Sequence, residues 1–203
     1  MVDTIKLYIS AADDLQIERD FLSRMVTEIP VTLGWRIILS PLKGKKIDEI
    51  FIEGADIHIL VLGTDIRAPI GFEWFLSRRA GKTPILFFKK NVRQTYAARD
   101  FIRTLSHHGS WLTYDSLAGL RIQSLHRIGN LLLKNADYFD LRPAEMEKLS
   151  SFLKDNERIE SNQVEVLDGG AGDNSVIISP ERYIPKDGVL IRVKRDDADS
   201  VDK

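Results

Sequence analysis

The sequence predicts an α/β fold in which an open parallel β-sheet is covered by helices on both faces. Short apolar segments alternate with amphipathic helical segments five times over residues 1–134. This alternation is typical of parallel sheets, because each parallel strand needs a crossover connection, which is usually a helix. The spacing of the segments leaves no internal repeat at a fixed period.

Five segments are predicted as strands because they are short, rich in β-branched and aromatic residues, and bounded by turn-forming residues. The third of them, residues 55–62, is apolar almost throughout, as expected for a strand that is buried on both faces of a parallel sheet. In chain order the predicted strands are residues 5–10, 35–39, 55–62, 83–88 and 111–114.

Five helices are predicted after these strands because apolar residues recur on one face with helical spacing. Pro30 ends the first helix, and Gly81 closes the third, which opens at the stretch Pro69-Ile70-Gly71-Phe72-Glu73-Trp74. The other predicted helices are residues 14–29, 46–53, 94–106 and 117–133.

The remainder of the chain is predicted to be a small C-terminal α+β module over residues 136–195, following an α/β domain over residues 1–135. Its helix is predicted with Pro143 in the first turn, where a proline is tolerated. The acidic end, residues 196–203, is predicted to be disordered. Within the module we expect a helix over residues 143–156 and short strands over 163–167, 175–178 and 189–193.

Composition indicates a soluble globular protein, with 43% hydrophobic and 29% charged residues among 203. The absence of cysteine excludes disulfides and thiolate metal sites. The sequence has no signal-peptide pattern and no apolar run near the ~18 residues of a membrane span. We therefore expect a cytoplasmic protein with no membrane segment.

Charge is spread unevenly along the chain. Residues 1–134 hold 19 Lys and Arg against 14 Asp and Glu, whereas residues 135–203 hold 10 against 16. An excess of five positive charges is too small to indicate direct nucleic-acid binding. This positive excess could help to hold an anionic small molecule or to dock the acidic region, residues 135–203. The alternative is an ordinary solvated surface that carries charges of both signs.

Right-handed crossovers favour the flavodoxin-like strand order 2-1-3-4-5, which places a topological switch between the first and third strands. Ligands of open parallel sheets bind at the carboxyl ends of the strands beside such a switch. The loops that leave these two strands, residues 10–14 and 63–71, would flank one crevice. The residues predicted to contact a substrate are Ser10, Ala11, Ala12, Asp14, Gly63, Thr64, Gly71 and Trp74.

Glu73 is the strongest candidate for a functional residue. It is expected in the first turn of the helix after the third strand, on the rim of this crevice, where the helix dipole favours an ionised acid. The alternative is an ordinary glutamate that only complements the dipole. For Trp74 beside it, a core position is the alternative to a base-stacking surface.

Other chemically suggestive residues carry weaker signals. Gly81-Lys82-Thr83 is similar to the end of a phosphate-binding P-loop, but a helix precedes it and a strand follows, which is the reverse of the P-loop order. His58 lies within the third strand and is expected to be a core histidine with satisfied hydrogen bonds. No set of residues with metal-ligand spacing is found, so no metal site is predicted.

Several motifs together resemble a TIR-like domain of unknown function that often forms the N-terminus of large bacterial signalling ATPases. Residues 9–10 and 14–20 are similar to its opening I-S-S-T…D-L-x-x-E-R, and residues 55–63 to its s-D-i-x-I-l-i-l-G strand. Residues 71–74 and 80–86 resemble its E-[YW]…A…G-K-P-I-L segment. The same acidic position and following strand occur in TIR domains and in nucleoside 2-deoxyribosyltransferases.

The resemblance implies chemistry at an N-glycosidic bond. Enzymatic TIR domains cleave NAD between nicotinamide and ribose, and the transferases cleave a base from deoxyribose. In both reactions a carboxylate stabilises or attacks an oxocarbenium-like centre. By resemblance Glu73 is that catalytic carboxylate, and Ser10 with the backbone of Ala11 and Ala12 would hold a phosphate or ribose. NAD would be a substrate, and no cofactor is expected.

Three functions stay open at this point. The first is an NAD nucleosidase of bacterial stress or antiviral defence signalling, which by resemblance would work as a homo-oligomer with a signalling partner protein. The second is a non-catalytic TIR-like interaction module in which Glu73 is structural. The third is a nucleoside 2-deoxyribosyltransferase-like enzyme, which would need a further carboxylate, and Asp13, Asp14 and Asp65 are the nearby choices.

Overall fold

Five parallel strands form one sheet in the order β2-β1-β3-β4-β5, which confirms the predicted α/β fold and strand order. The computed structural model describes residues 3–41 and 46–168, and the side chains of all of these except residues 68 and 158–168. The strands are β1 Thr4–Ala11, β2 Gly34–Leu39, β3 Ile57–Leu62, β4 Ile85–Lys89 and β5 Trp111–Tyr114. The helices are α1 Gln16–Met25, α2 Glu49–Gly54, α3 Ala68–Arg79, α4 Tyr96–Leu105, α5 Leu117–Lys134 and α6 Pro143–Asp168.

Helices cover both faces of the sheet because successive side chains of each strand point in opposite directions. Odd-numbered residues of β1, such as Leu7, belong to an apolar cluster with α1, α5 and α6. On the other face, Tyr8 packs with side chains of α2 and α3, and Leu60 packs with side chains of α3 and α4. Every residue of β3 is buried, as its apolar sequence predicts for a central strand.

The final helix is longer than predicted. Residues 163–167, predicted as a strand, are helical within α6, so that prediction is wrong. A strand needs a neighbouring strand for its backbone hydrogen bonds, whereas a helix makes them internally. None of the helices in the described part of the chain has the length and apolar character needed to cross a bilayer. The predicted strands at 175–178 and 189–193 and the acidic end, 196–203, lie outside the described residues.

The first half of α6 packs onto the α/β core. Leu149 and Leu153 belong to the same buried cluster as β1. A Cβ atom added at Gly129 of α5 would lie 2.7 Å from a terminal methyl of Leu153, so the glycine permits this close approach. The first compact unit accordingly runs from Met1 to Leu167.

Truncation of Leu149 tests whether α6 belongs to the cooperative core. Leu149 has 0% of its surface exposed, so we expect Leu149→Ala to lower the free energy of unfolding by about 2–5 kcal/mol in chemical denaturation. The neighbouring Lys148 is exposed, and Lys148→Ala is the matched control, with an expected change within about 0.5 kcal/mol. Equal stabilities for the two variants would contradict the packing of α6 on the core.

Candidate functional site

Glu73 lies in the second turn of α3 and points into the protein. It is the sixth residue of the helix, which begins at Ala68, so the predicted first-turn position is wrong. The first N–H groups of a helix have no intrahelical acceptor, so Pro69 is tolerated at the second helical position. The helix therefore begins at Ala68, which leaves Glu73 beyond its first turn. The Glu73 side chain has 0% of its surface exposed. The helix dipole acts mainly within the first turn, so it is not what holds this carboxylate.

Three hydroxyl groups surround the Glu73 carboxylate, and we call Tyr8, Ser10 and Ser40 the hydroxyl cage. Tyr8 Oη donates to Oε1 at 2.9 Å, and Ser10 Oγ donates to Oε2 at 2.5 Å. Ser40 Oγ lies 2.7 Å from both carboxylate oxygens. All three residues are buried, so both oxygens are satisfied within the protein, as a buried carboxylate requires.

The sheet places the hydroxyl cage under α3. Tyr8 and Ser10 are two residues apart on β1 and therefore point to the same face. Ser40 directly follows β2, and its backbone N–H donates to Ile9 O at 2.8 Å, which continues the ladder between these strands. The cage thus forms at the carboxyl ends of two adjacent strands, next to the predicted topological switch between β1 and β3.

His58 extends this network. It pairs with Tyr8 in the register of β1 and β3, and the two rings meet edge to face with centroids 5.4 Å apart. His58 Nε2 lies 2.8 Å from Ser10 Oγ. Because the single hydroxyl proton of Ser10 is donated to Glu73, Nε2 of His58 carries a proton and donates to Ser10. Nδ1 is then an acceptor, and it has no hydrogen-bond partner among the described residues.

Burial controls the protonation of the cluster. Burial lowers the pKa of His58 to about 3, so the ring is neutral. Burial also raises the pKa of Glu73 above its ordinary value, although the hydrogen bonds from Ser10, Ser40 and Tyr8 oppose that shift. The pKa of Tyr8 is raised by burial and by the neighbouring Glu73, so its hydroxyl stays protonated as a donor. Burial therefore keeps His58 neutral and Tyr8 protonated, and it favours the protonated form of Glu73.

The two loops predicted to flank the crevice meet each other. Asp14 Oδ2 accepts a hydrogen bond from the backbone N–H of Thr64 at 2.9 Å. A Cβ atom added at Gly63 would lie 2.7 Å from the same oxygen, so this close approach requires glycine. Asp13 and Arg67 also form an ion pair between the loops. The structure therefore brings the predicted residues Asp14, Gly63 and Thr64 together.

The remaining predicted contact residues lie in different surroundings. Ala11 and Ala12 are buried at the end of β1, directly after Ser10. Gly71 faces α4, where a Cβ atom would be 4.0 Å from the ring of Phe101. Trp74 packs in the apolar cluster of α3 and α4, with its ring 5.7 Å from that of His108. Gly71 and Trp74 thus lie beside α4 and the residues that follow it, and Trp74 is partly buried there.

Sequence reasoning identified Ser10 and Glu73 but did not identify Tyr8 and Ser40, and it treated His58 as an ordinary core histidine. The sequence did contain a signal. Polar residues stand at even-numbered positions inside apolar strands, namely Tyr8 and Ser10 in the first strand and His58 in the third. Buried polar side chains need partners, so such residues on neighbouring strands indicate a polar cluster. Among the described residues, no group of three or more His, Asp or Glu side chains is placed to hold a metal ion.

The raised pKa of Glu73 predicts a pH-dependent contribution to stability. The folded chain holds the Glu73 proton more tightly than the unfolded chain, whose pKa is near 4.5, so the contribution is greatest below pH 4.5. It is lost as the pH rises through the folded-state pKa. From acid to mildly alkaline pH, we expect the stability of the wild type relative to Glu73→Gln to fall once the pH exceeds 4.5, by at most about 1.4 kcal/mol per pH unit. Denaturant titrations across this range measure it, and a difference that grows with pH would contradict the assignment.

The hydrogen-bond pattern also predicts the tautomer of His58. Because the pKa of His58 is lowered to about 3, the ring should stay neutral between about pH 5 and pH 8. ¹⁵N NMR of the ring should show a protonated Nε2 and an unprotonated Nδ1 throughout this range. Ser10→Ala removes the acceptor and should speed exchange of the Nε2 proton. A protonated Nδ1, or titration of the ring in this range, would refute the pattern.

Comparisons with known proteins leave the family of this chain open. No protein-family model matches the chain, and no curated protein matches it. One similar solved structure is the crystal structure of CapF with inhibitor 3-isopropenyl-tropolone, which is 11% identical. The match covers 55% of this chain and 30% of the CapF chain, with a TM-score of 0.35. A likeness this weak carries no functional argument, so inferences about function depend on the geometry around Glu73.

Proposed function

We propose that this chain is a TIR-like protein of bacterial stress or defence signalling that cleaves the N-glycosidic bond of NAD or a closely related nucleotide. The observation that supports this proposal best is the hydroxyl cage, which fixes the Glu73 carboxylate at the switch point of an open parallel sheet. Ligand sites of such sheets lie at this position. A buried carboxylate with a shifted pKa is also a common feature of active sites.

The proposed role of Glu73 is electrostatic. When the bond between ribose C1′ and the nicotinamide nitrogen breaks, its electron pair stays on nicotinamide and positive charge develops on the sugar. A carboxylate beside C1′ stabilises that charge, and its effect is larger in a buried site than in water. Water then adds to C1′ and releases a proton. Because the carboxylate oxygens are already oriented by three hydroxyls, little reorganisation is needed during the reaction.

The hydroxyl cage favours a sugar as the group that approaches Glu73. Ser10 and Ser40 contribute neutral O–H donors at 2.5–2.7 Å from the carboxylate oxygens. The two neighbouring hydroxyls of ribose are donors of the same kind. A ribose can therefore replace these serine contacts without leaving a carboxylate oxygen unsatisfied, which keeps the energetic cost of exchange small.

Access to Glu73 requires movement of its surroundings, because the side chain has no exposed surface. We propose that the structure represents a closed, resting state of the enzyme. The implied homo-oligomer, or a signalling partner, would favour an open state in which the sugar replaces part of the hydroxyl cage. Enzymatic TIR domains generally work as oligomers, so activation by assembly is consistent with the resemblance to them.

A non-catalytic interaction module is the second candidate function. It is supported by the same lack of exposed surface and by the complete satisfaction of both Glu73 oxygens. In this case Glu73 joins α3 to β1 and β2 as a structural polar contact. The deoxyribosyltransferase alternative has less support, because its three candidate carboxylates already have partners. Asp13 pairs with Arg67, Asp14 accepts from the backbone N–H of Thr64, and Asp65 accepts from the hydroxyl of Thr95.

Release of nicotinamide from NAD by the purified chain, at high concentration and under crowding, tests these functions. We expect Glu73→Gln, which preserves shape and removes the charge, to lower turnover by at least about 100-fold. Glu147→Gln, at an exposed position of α6, is the matched control and should leave turnover unchanged.

The outcomes separate the candidates. Turnover that survives in Glu73→Gln would exclude the catalytic role. Absence of turnover in the wild type, combined with a stability change in Glu73→Gln, would favour the interaction module. Base exchange between deoxynucleosides, assayed in parallel, would favour the transferase.

A further inference from the structure

A cavity of about 520 Å³ lies at the amino-terminal ends of β3 and β4, at the opposite edge of the sheet from the loops of Asp14 and Thr64. Its walls come from the start of β3, the turn before β4, and the end of α5 with the segment after it. The polar residues that matter here are Asp56, His58, Lys82, Lys134, Asn135 and Tyr138. The proposed function does not use this cavity.

Two lysines of the cavity, Lys82 and Lys134, have no acidic partner within the part of the chain that the structure describes. The opposing carboxylate, Asp56, is already occupied, since it accepts from the backbone N–H of Lys6 at 2.8 Å and from Tyr138 Oη at 2.9 Å. The two lysine ammonium groups are therefore available to an anion that enters the cavity.

Further donors surround the lysines. Asn135 contributes its side-chain amide, whose nitrogen also donates to Leu131 O at 2.8 Å. The hydroxyl of Thr83 lines the same wall and accepts from Arg78 at 3.0 Å, which brings a third cation to the edge of the cavity. Two lysines that line one cavity together with an amide and a hydroxyl group provide the kind of donors that bind a phosphate.

Size and aromatic surface indicate what the phosphate is attached to. A volume of about 520 Å³ is within the range of small-molecule sites and fits a mononucleotide. Tyr138 is 57% exposed at the rim, and its ring meets Phe139 edge to face with centroids 4.9 Å apart. An exposed aromatic ring anchored in this way offers a flat surface on which a base can stack.

We infer that this cavity binds a nucleoside monophosphate, with the phosphate on Lys82 and Lys134 and the base against Tyr138. This mode differs from the P-loop that Gly81-Lys82-Thr83 superficially resembles. Here α3 ends before Gly81, which has a φ of +76°, and β4 follows Lys82. Side-chain ammonium groups therefore hold the phosphate, rather than the backbone N–H groups at the start of a helix.

His58 belongs both to the cavity wall and to the network of Glu73. Nε2 of its ring is hydrogen-bonded to Ser10 Oγ, which in turn donates to Glu73. His58 is thus a residue shared by the cavity and the hydrogen-bond network of Glu73. The binding inference does not require Glu73 to be catalytic, so its test includes Glu73→Gln, in which binding at the cavity should persist.

Calorimetric titration of the full chain with AMP, adenosine and inorganic phosphate tests the site. We expect AMP to bind the wild type more tightly than either fragment, with an affinity that falls as salt is added. The double variant Lys82→Gln/Lys134→Gln should bind AMP at least about tenfold more weakly. The control Lys90→Gln/Lys148→Gln makes the same charge change at two exposed lysines away from the cavity and should stay within about twofold of the wild type.

Three results would overturn the inference. They are no AMP binding at millimolar concentration, equal weakening in the two double variants, and adenosine binding as tightly as AMP. A fourth refuting result is loss of AMP binding in Glu73→Gln, which would place the nucleotide at the hydroxyl cage. If Glu73→Gln loses NAD turnover but still binds AMP, the result supports both the proposed function and this separate binding site.

Discussion

Burial of the Glu73 carboxylate is the constraint on which the arrangement around α3 depends. A carboxylate removed from water needs a donor for each oxygen, and leaving it unpaired costs several kcal/mol. Tyr8 and Ser10 supply donors from β1, and Ser40 supplies one from the end of β2. One side chain of α3 thus makes polar contacts with two strands, and the position of the helix on the sheet is fixed by these contacts as well as by apolar packing.

The strand order makes this arrangement attainable. Tyr8 and Ser10 share a face of β1, while β2 lies beside β1 on one side and β3 on the other. The residue that follows β2 and residue 58 of β3 therefore reach the same face within hydrogen-bond distance of Ser10 or Glu73. In an order that separated these strands, the same residues would be buried without partners. The strand order is consequently what allows each buried polar group of this network to find a hydrogen-bond partner.

The fold was largely predictable from sequence because alternating strand and helix patterns are local, and the predicted strand order already placed Ser10 and Glu73 beside the same topological switch. The hydroxyl cage was not, because Tyr8 and Ser40 meet Glu73 only through the register of strands that are far apart in the chain. The end of α6 was missed for a different reason. Alternating Val164 and Val166 favour a strand locally, but the chain there continues a helix that supplies its own backbone hydrogen bonds.

Among the described residues, Glu18 is also a buried glutamate, and its surroundings differ from those of Glu73. Glu18, on the other face of the sheet, is 4% exposed and is paired with Lys89 at 2.6 Å. A cation fixes the charge of that carboxylate, which suits a permanent structural contact. Glu73 is held only by neutral hydroxyls, although an ion pair would compensate its burial more fully. Neutral donors leave its protonation responsive to the surroundings, and under the proposed function they would be exchanged for the hydroxyls of a sugar, which a purely structural contact does not require.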